Sequence, residues 1–218
     1  MALVRLPHPS RSRRLVLLAL TVLGLLLLGA CSSPYTYVKN SESNTFFRVP
    51  RDWKLYDGRG LLPASNPIVS SPQAPTERWQ VVFDANPRPT RKFFGSPRFP
   101  QGFAIIRPLT NEERDVISLA SLRNLVFPID QLLTQDPKSV DILKSEDLVV
   151  RDGFRGSRII FTINRGADFL AVNQTGLIDM DTKKLYVFLV GCGVDCYIQN
   201  RETIDQIVGS WTVTEPLT

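Results

Sequence analysis

Cys192 and Cys196, four positions apart in "VGCGVDCYIQN", are the residues with the widest choice of chemistry. Such a pair can be a redox couple, half of a metal site, part of a phosphate loop, or a disulfide. A redox couple normally has C-x-x-C spacing at a helix N-terminus, whereas three residues intervene here. A metal site needs three or four ligands, and only Asp195 stands nearby. "GCGVDC" follows a strand-like run, as a G-x-G-x-x-G phosphate loop does. Cys196 replaces the third glycine, however, and only 22 residues follow it, too few for a dinucleotide fold. A structural disulfide is the favoured reading, with free thiols or a redox pair as alternatives, and the compartment weighs between them.

The N-terminus bears on that compartment. Arg5, Arg11, Arg13 and Arg14 precede an almost purely apolar run from Leu15 to Leu28, the pattern of an export signal. The run falls short of the roughly 20 residues an apolar spanning helix needs. Leu28-Gly29-Ala30-Cys31 resembles a bacterial lipobox, which implies lipidation of Cys31 and cleavage before it. The alternative is an uncleaved anchor with an incidental cysteine. "SRRLVLL" also resembles a twin-arginine signal, although the apolar run suits general secretion better. Either route leads to an extracytoplasmic location at the cell membrane, where disulfides persist.

Cleavage changes the charge. Residues 1–30 hold four arginines, the one histidine (His8) and no acid, so 26 Lys+Arg become 22 against 21 Asp+Glu. The mature net charge is then +1, which removes any nucleic-acid footprint. Losing His8 also removes the commonest general base and metal ligand. The sequence contains no G-x-S-x-G elbow and no P-loop, and without histidine no Ser-His or Cys-His pair can form. "DMDT" (Asp179–Thr182) lacks the later glycine and glutamate of a calcium loop. No metal or cofactor is expected. A carboxylate-only hydrolase stays open, because its acid pair assembles in space and leaves no local motif.

The most unusual stretch is "NPRPTRKFFGSPRFPQG", Asn86 to Gly102. It interleaves Arg88, Arg91, Lys92 and Arg98 with Phe93, Phe94 and Phe99 and contains no acid. Aromatic and arginine anchors on a loop suit a partner or an anionic membrane surface. The competing reading tucks the rings onto a sheet and leaves the cations in water.

Residues 31–44 are small and polar and suggest a tether, with a reach on the order of 45–50 Å when extended. "TFFRVP", "WQVVFDA" and "GFAIIRPL" read as strands, separated by Pro-rich loops at 57–78 and 86–101. "TNEE" from Thr110 is a capping box, followed by an apolar stripe from Val116 to Phe127 and a stop at Pro128. From Val140 onward hairpins dominate, with Asp152-Gly153 as a turn signal. A short helix over about 199–208 and a last strand at "SWTVT" close the chain. The expected architecture is α+β, a largely antiparallel sheet with helices packed on it. Its organisation is a signal over 1–30, a tether over 31–44 and one domain over 45–218.

"FFRVPRDW" and "YVFLVGCGVDCYIQNRETIDQIVGSWTV" resemble the first strand and the C-terminal strand–helix–strand of PsbP-like proteins. Actinobacterial lipoproteins of the LpqN type look similar and also follow a lipobox. The likeness covers Phe46–Trp53 and Thr182–Val213, while the two Pro-rich loops have no assignable counterpart. It implies an αβα sandwich that binds other components, mostly without catalysis. The resulting expectation is a monomeric, lipid-anchored accessory module with an envelope protein or glycolipid as partner.

Overall fold

The computed structural model describes residues 33–62, 66, 78–90, 92–149, 153–166 and 168–214. Cys31, Arg91 and Asp152 therefore lie outside the described residues, as does most of the 57–78 loop. Contacts divide the chain into a unit ending at Pro34 and a unit from Tyr35 to Thr218. The second unit opens with strands β1 (Tyr35–Asn40), β2 (Thr45–Pro50), β3 (Lys54–Tyr56), β4 (Trp79–Asp84) and β5 (Gln101–Pro108). Three short helices follow: α1 (Asn111–Val116), α2 (Leu119–Leu122) and α3 (Ile129–Gln135). Then come β6 (Val140–Val149), β7 (Arg155–Asn164), β8 (Phe169–Ile178), β9 (Lys184–Gly193), α4 (Val194–Gln199), α5 (Arg201–Ser210) and β10 (Thr212–Val213).

β3-β4-β5-β9-β8-β7-β6 form one antiparallel sheet, and β1-β2-β10 form a second, smaller one. Side chains of a strand alternate between faces, and here both faces of the sheet's central strands are covered, while edge strand β6 is largely exposed. Phe103, Ile105, Val187 and Leu189 pack with Leu122, Leu125 and Ile129 of the α1–α3 layer. Their neighbours Ala104, Phe188 and Val190 pack with Phe47 and Val49 of the small sheet and with Ile204 and Ile207 of α5. Aromatic rings concentrate on this second face. Phe188 meets Phe47 and Trp211 at 5.0 Å and Phe83 at 5.4 Å, contacts worth about 0.5–1.5 kcal/mol each beyond burial.

Two adjacent residues of β8 tie the layers to the sheet. Gln174 and Asn173 are each 1% exposed and point to opposite faces. The Gln174 amide donates to the carbonyls of Leu122 and Arg123, at 3.1 Å each, and so caps the end of α2. Asn173 accepts from the Arg158 Nε at 3.1 Å and reaches the Tyr197 hydroxyl of α4 at 3.5 Å. Burial raises the Tyr197 pKa, against that hydrogen bond. Gly176, two residues on, leaves the space that Leu125 occupies, since a Cβ there would lie 2.7 Å from Leu125 Cδ1.

Three expectations need correction. The tether over 31–44 is too long, because Tyr35–Asn40 is a strand paired with β2 from Tyr35↔Pro50 to Asn40↔Thr45. Val38 supplies its inward apolar contact. The helix from Thr110 to Phe127 is broken instead of continuous. Ser118 starts a second capping box, Val116 is exposed, and Gln174 captures carbonyls that a longer helix would use internally. Pro128 stops nothing and instead opens α3. Finally, the C-terminal helical segment begins at Val194, as α4, before α5.

The Thr110 capping box is present, with Glu113 N donating to Thr110 Oγ1 and Thr110 N donating to Glu113 Oε2. Glu113 also takes a bidentate grip from buried Arg107 of β5, at 2.6 and 2.7 Å. Burial raises the Glu113 pKa, but the Arg107 and Thr110 hydrogen bonds outweigh it and leave the carboxyl below its ordinary 4.5. A depressed carboxyl stabilises the fold fully above its unfolded pKa and loses that contribution as pH falls through the native value. Glu113→Ala should therefore cost about 1.5–3 kcal/mol at neutral pH, since it removes a charged hydrogen-bond partner from buried Arg107, which keeps the Pro108 carbonyl. Denaturant titrations at several pH values should show that difference shrinking below about pH 4.

Candidate functional site

The basic-aromatic segment is the connection between β4 and β5, and its two ends are locked together. Asp84 and Gln101 face each other in the β4–β5 register, and both are buried. Gln101 Nε2 donates to Asp84 Oδ2 at 3.0 Å and to the Tyr56 hydroxyl of β3 at 3.1 Å. Gln101 Oε1 accepts the Phe94 amide at 2.7 Å, and Asp84 Oδ1 accepts the Asn86 amide at 2.7 Å. Burial raises the Asp84 pKa, and the Asn86 and Gln101 hydrogen bonds oppose it. Ala85 N donates to Pro100 O at 2.9 Å and closes the mouth. Inside the loop, Asn86 Oδ1 accepts the Arg88 amide at 2.9 Å, a local turn typical of asparagine.

Phe94 sits at φ 47, a left-handed conformation that is uncommon for a residue with a side chain. The Gln101 bond and ring burial hold it there. Phe94 is 5% exposed and belongs to the core under the α1–α3 layer. Phe93 is half-buried and lies 4.6 Å from Phe94, 5.7 Å from Phe127 and 5.9 Å from Phe103. The tip of the loop is pinned separately, where Gly193 N donates to Pro97 O at 2.8 Å. A Cβ on Gly193 would lie 2.7 Å from that oxygen, so the contact requires glycine.

That pin brings the loop to the cysteines. Cys192 and Cys196 form a disulfide with their Cα atoms 5.9 Å apart, joining the end of β9 to α4. Both are buried against Tyr197 and Ile204, so the bridge is a staple shielded from exchange. Beside it opens a cleft of about 620 Å³, lined by Pro97, Arg98, Asp168, Phe169, Asp195 and Gln199 among others. Phe169 is 52% exposed.

The expected contact residues divide accordingly. Arg88, Lys92 and Arg98 are exposed, and Phe99 is half-buried. Phe94 is a core ring, which corrects its assignment as a surface anchor, and Phe93 gives much of its surface to the same core. Arg91 and Cys31 lie outside the described residues. Sequence reading missed Asp168 and Phe169, which join Arg98 only through the pairing of β8 with β9. No local motif announces them. Among the described residues no cluster of three or more His, Cys, Asp or Glu could hold a metal ion.

Comparison with protein-family models finds no match, and comparison with curated proteins finds none either. Solved structures do match. The cyanobacterial PsbP protein CyanoP of Synechocystis sp. PCC 6803 superposes with a TM-score of 0.51 at 14% identity, covering 85% of this chain and 95% of that one. The fold is the PsbP-like fold. LpqN of Mycobacterium tuberculosis, described as involved in cell envelope biogenesis, gives 0.46 at 16% identity over 85% and 88% of the two chains. The Ran-binding protein Mog1p of Saccharomyces cerevisiae gives 0.42 at 12% identity over 84% and 97%. At such identities a PsbP-like fold leaves activity to be argued from the site.

Placement of the loop residues predicts opposite outcomes for neighbours. Phe94→Ala should lower stability by about 3–5 kcal/mol, read by chemical denaturation. Arg98→Glu should stay within about 0.5 kcal/mol of the parent.

Proposed function

We propose that the chain is an exported, lipid-anchored and non-catalytic module that binds an anionic component of the cell envelope through the 86–100 loop and the adjoining cleft. One observation carries this reading: Arg88, Lys92 and Arg98 are exposed on a loop locked at its mouth and pinned at its tip. A loop held in one conformation loses little entropy on binding, and rigid scaffolds commonly present function on such loops. Phe169 adds an apolar surface beside Arg98, which suits a partner with an anionic group on an apolar body. Envelope glycolipids and envelope proteins both offer that chemistry. Lipid attachment at Cys31 and an extracytoplasmic membrane location are part of the proposal, supported by the order of basic segment, apolar run and lipobox-like tetrapeptide.

A histidine-free hydrolase is the second reading, because Asp168 and Asp195 line the same cleft. The two readings separate cleanly. Arg88→Glu, Lys92→Glu and Arg98→Glu together should leave the melting transition nearly unchanged and abolish capture of solubilised envelope components. Capture by the parent should weaken with salt. Undiminished capture by the triple variant contradicts the binding face. Loss of envelope glycan hydrolysis in an Asp168→Asn, Asp195→Asn variant would favour the enzyme instead. For the anchor, Cys31→Ala should yield an unprocessed precursor or a released protein, and a processed, membrane-bound variant contradicts lipidation.

A further inference from the structure

The small sheet has an outer face that no other described element packs against. Tyr37 is 64% exposed and Phe46 47% exposed, large values for aromatic rings on regular strands. They share that face with Lys39 and Arg48, because the β1–β2 register sets Tyr37 opposite Arg48 and Lys39 opposite Phe46. The face is preformed. The Arg48 guanidinium lies 4.4 Å over the Tyr35 ring, and the Tyr35 hydroxyl donates to Gln206 Oε1 of α5 at 3.0 Å. A shallow cleft of about 430 Å³ runs between the strands and α5, and among the described residues that line it Arg48 carries the charge.

We infer that this face lies against the lipid headgroups of the membrane that anchors the protein. The inference rests on the proposed lipidation of Cys31. Only Ser32, Ser33 and Pro34 separate Cys31 from Tyr35, so covalent geometry confines Tyr35 to within about 14 Å of the anchored residue. β1 is an edge strand, and its inward side is occupied by the core through Val38. The side that remains carries tyrosine and phenylalanine with flanking cations. Amphipathic aromatic rings settle at the membrane–water interface, and lysine and arginine beside them gain from anionic lipid headgroups. One lipid-modified residue thus fixes position, and the aromatic face fixes orientation.

The test uses the full chain, processed in its host, purified and reconstituted into phosphatidylglycerol–phosphatidylcholine vesicles. An environment-sensitive fluorophore is placed at Tyr37→Cys and, for comparison, at Val116→Cys on exposed α1 of the opposite layer. The expected result is a blue shift and a severalfold loss of iodide quenching at position 37, with position 116 quenched as in solution. Adding Phe46→Ser and Lys39→Glu should restore quenching at 37 while the protein stays vesicle-bound. Equal quenching at 37 and 116 in vesicle-bound protein overturns the inference and leaves the anchor standing. Protein that carries no lipid and does not associate with vesicles overturns both. Shielding of position 37 in native membranes but not in pure lipid assigns the face to a protein partner and also overturns the inference.

Discussion

A sheet whose central strands are buried on both faces carries polar side chains at least cost where the covering layers satisfy them. An unpaired buried polar group costs about 1–3 kcal/mol, so each such residue dictates what lies above it. Asn173 and Gln174 show the consequence most directly. Neighbours in β8, they point to opposite layers, one fastening α4 through Tyr197 and the other fastening the end of α2 through its amide nitrogen, while the Gln174 Oε1 has no partner among the described residues. Asp84 and Gln101 apply the same rule at the sheet's end, where the groups they satisfy are the amides of a long loop. Without those partners the loop's cations would have no fixed place.

This constraint connects the two sequence features that attract most attention. The disulfide and the basic-aromatic loop stand far apart in the chain, yet Pro97 rests on Gly193, one residue beyond Cys192. Closing so short a ring limits the unfolded chain by only about 2 kcal/mol in the chain-entropy model. The staple matters more for where it lies. It fixes the turn from β9 into α4, and that turn forms one wall of the cleft beside Arg98.

Much of this was legible in the sequence where the determining forces are local. The Thr110–Glu113 capping box, the paired strands from Val140 onward and the cysteine staple all follow from neighbours in the chain. Tyr35–Asn40 was hidden because its short, polar sequence gains its strand state from pairing with β2 and one inward contact at Val38. The early end of α2 was hidden for a related reason, since Gln174, a residue from a distant strand, takes the Leu122 and Arg123 carbonyls. Phe93 and Phe94 are adjacent and chemically identical, yet Phe94 is the more deeply buried, and its amide is bound by Gln101, a residue of the following strand. Asp168 and Phe169 carry no motif and become site residues only through sheet pairing.

Buried polar ties from the sheet fix the loop before any partner arrives. Amide hydrogen exchange in the isolated protein tests this, because the Phe94 and Gly193 amides donate two of the bonds that hold the loop. In the parent protein both should exchange as slowly as amides in β8 and β9. In a Gln101→Leu variant protection at Phe94 should collapse while that of the central strands persists. Fast exchange at Phe94 and Gly193 in the parent protein, with β8 and β9 protected, would contradict the account.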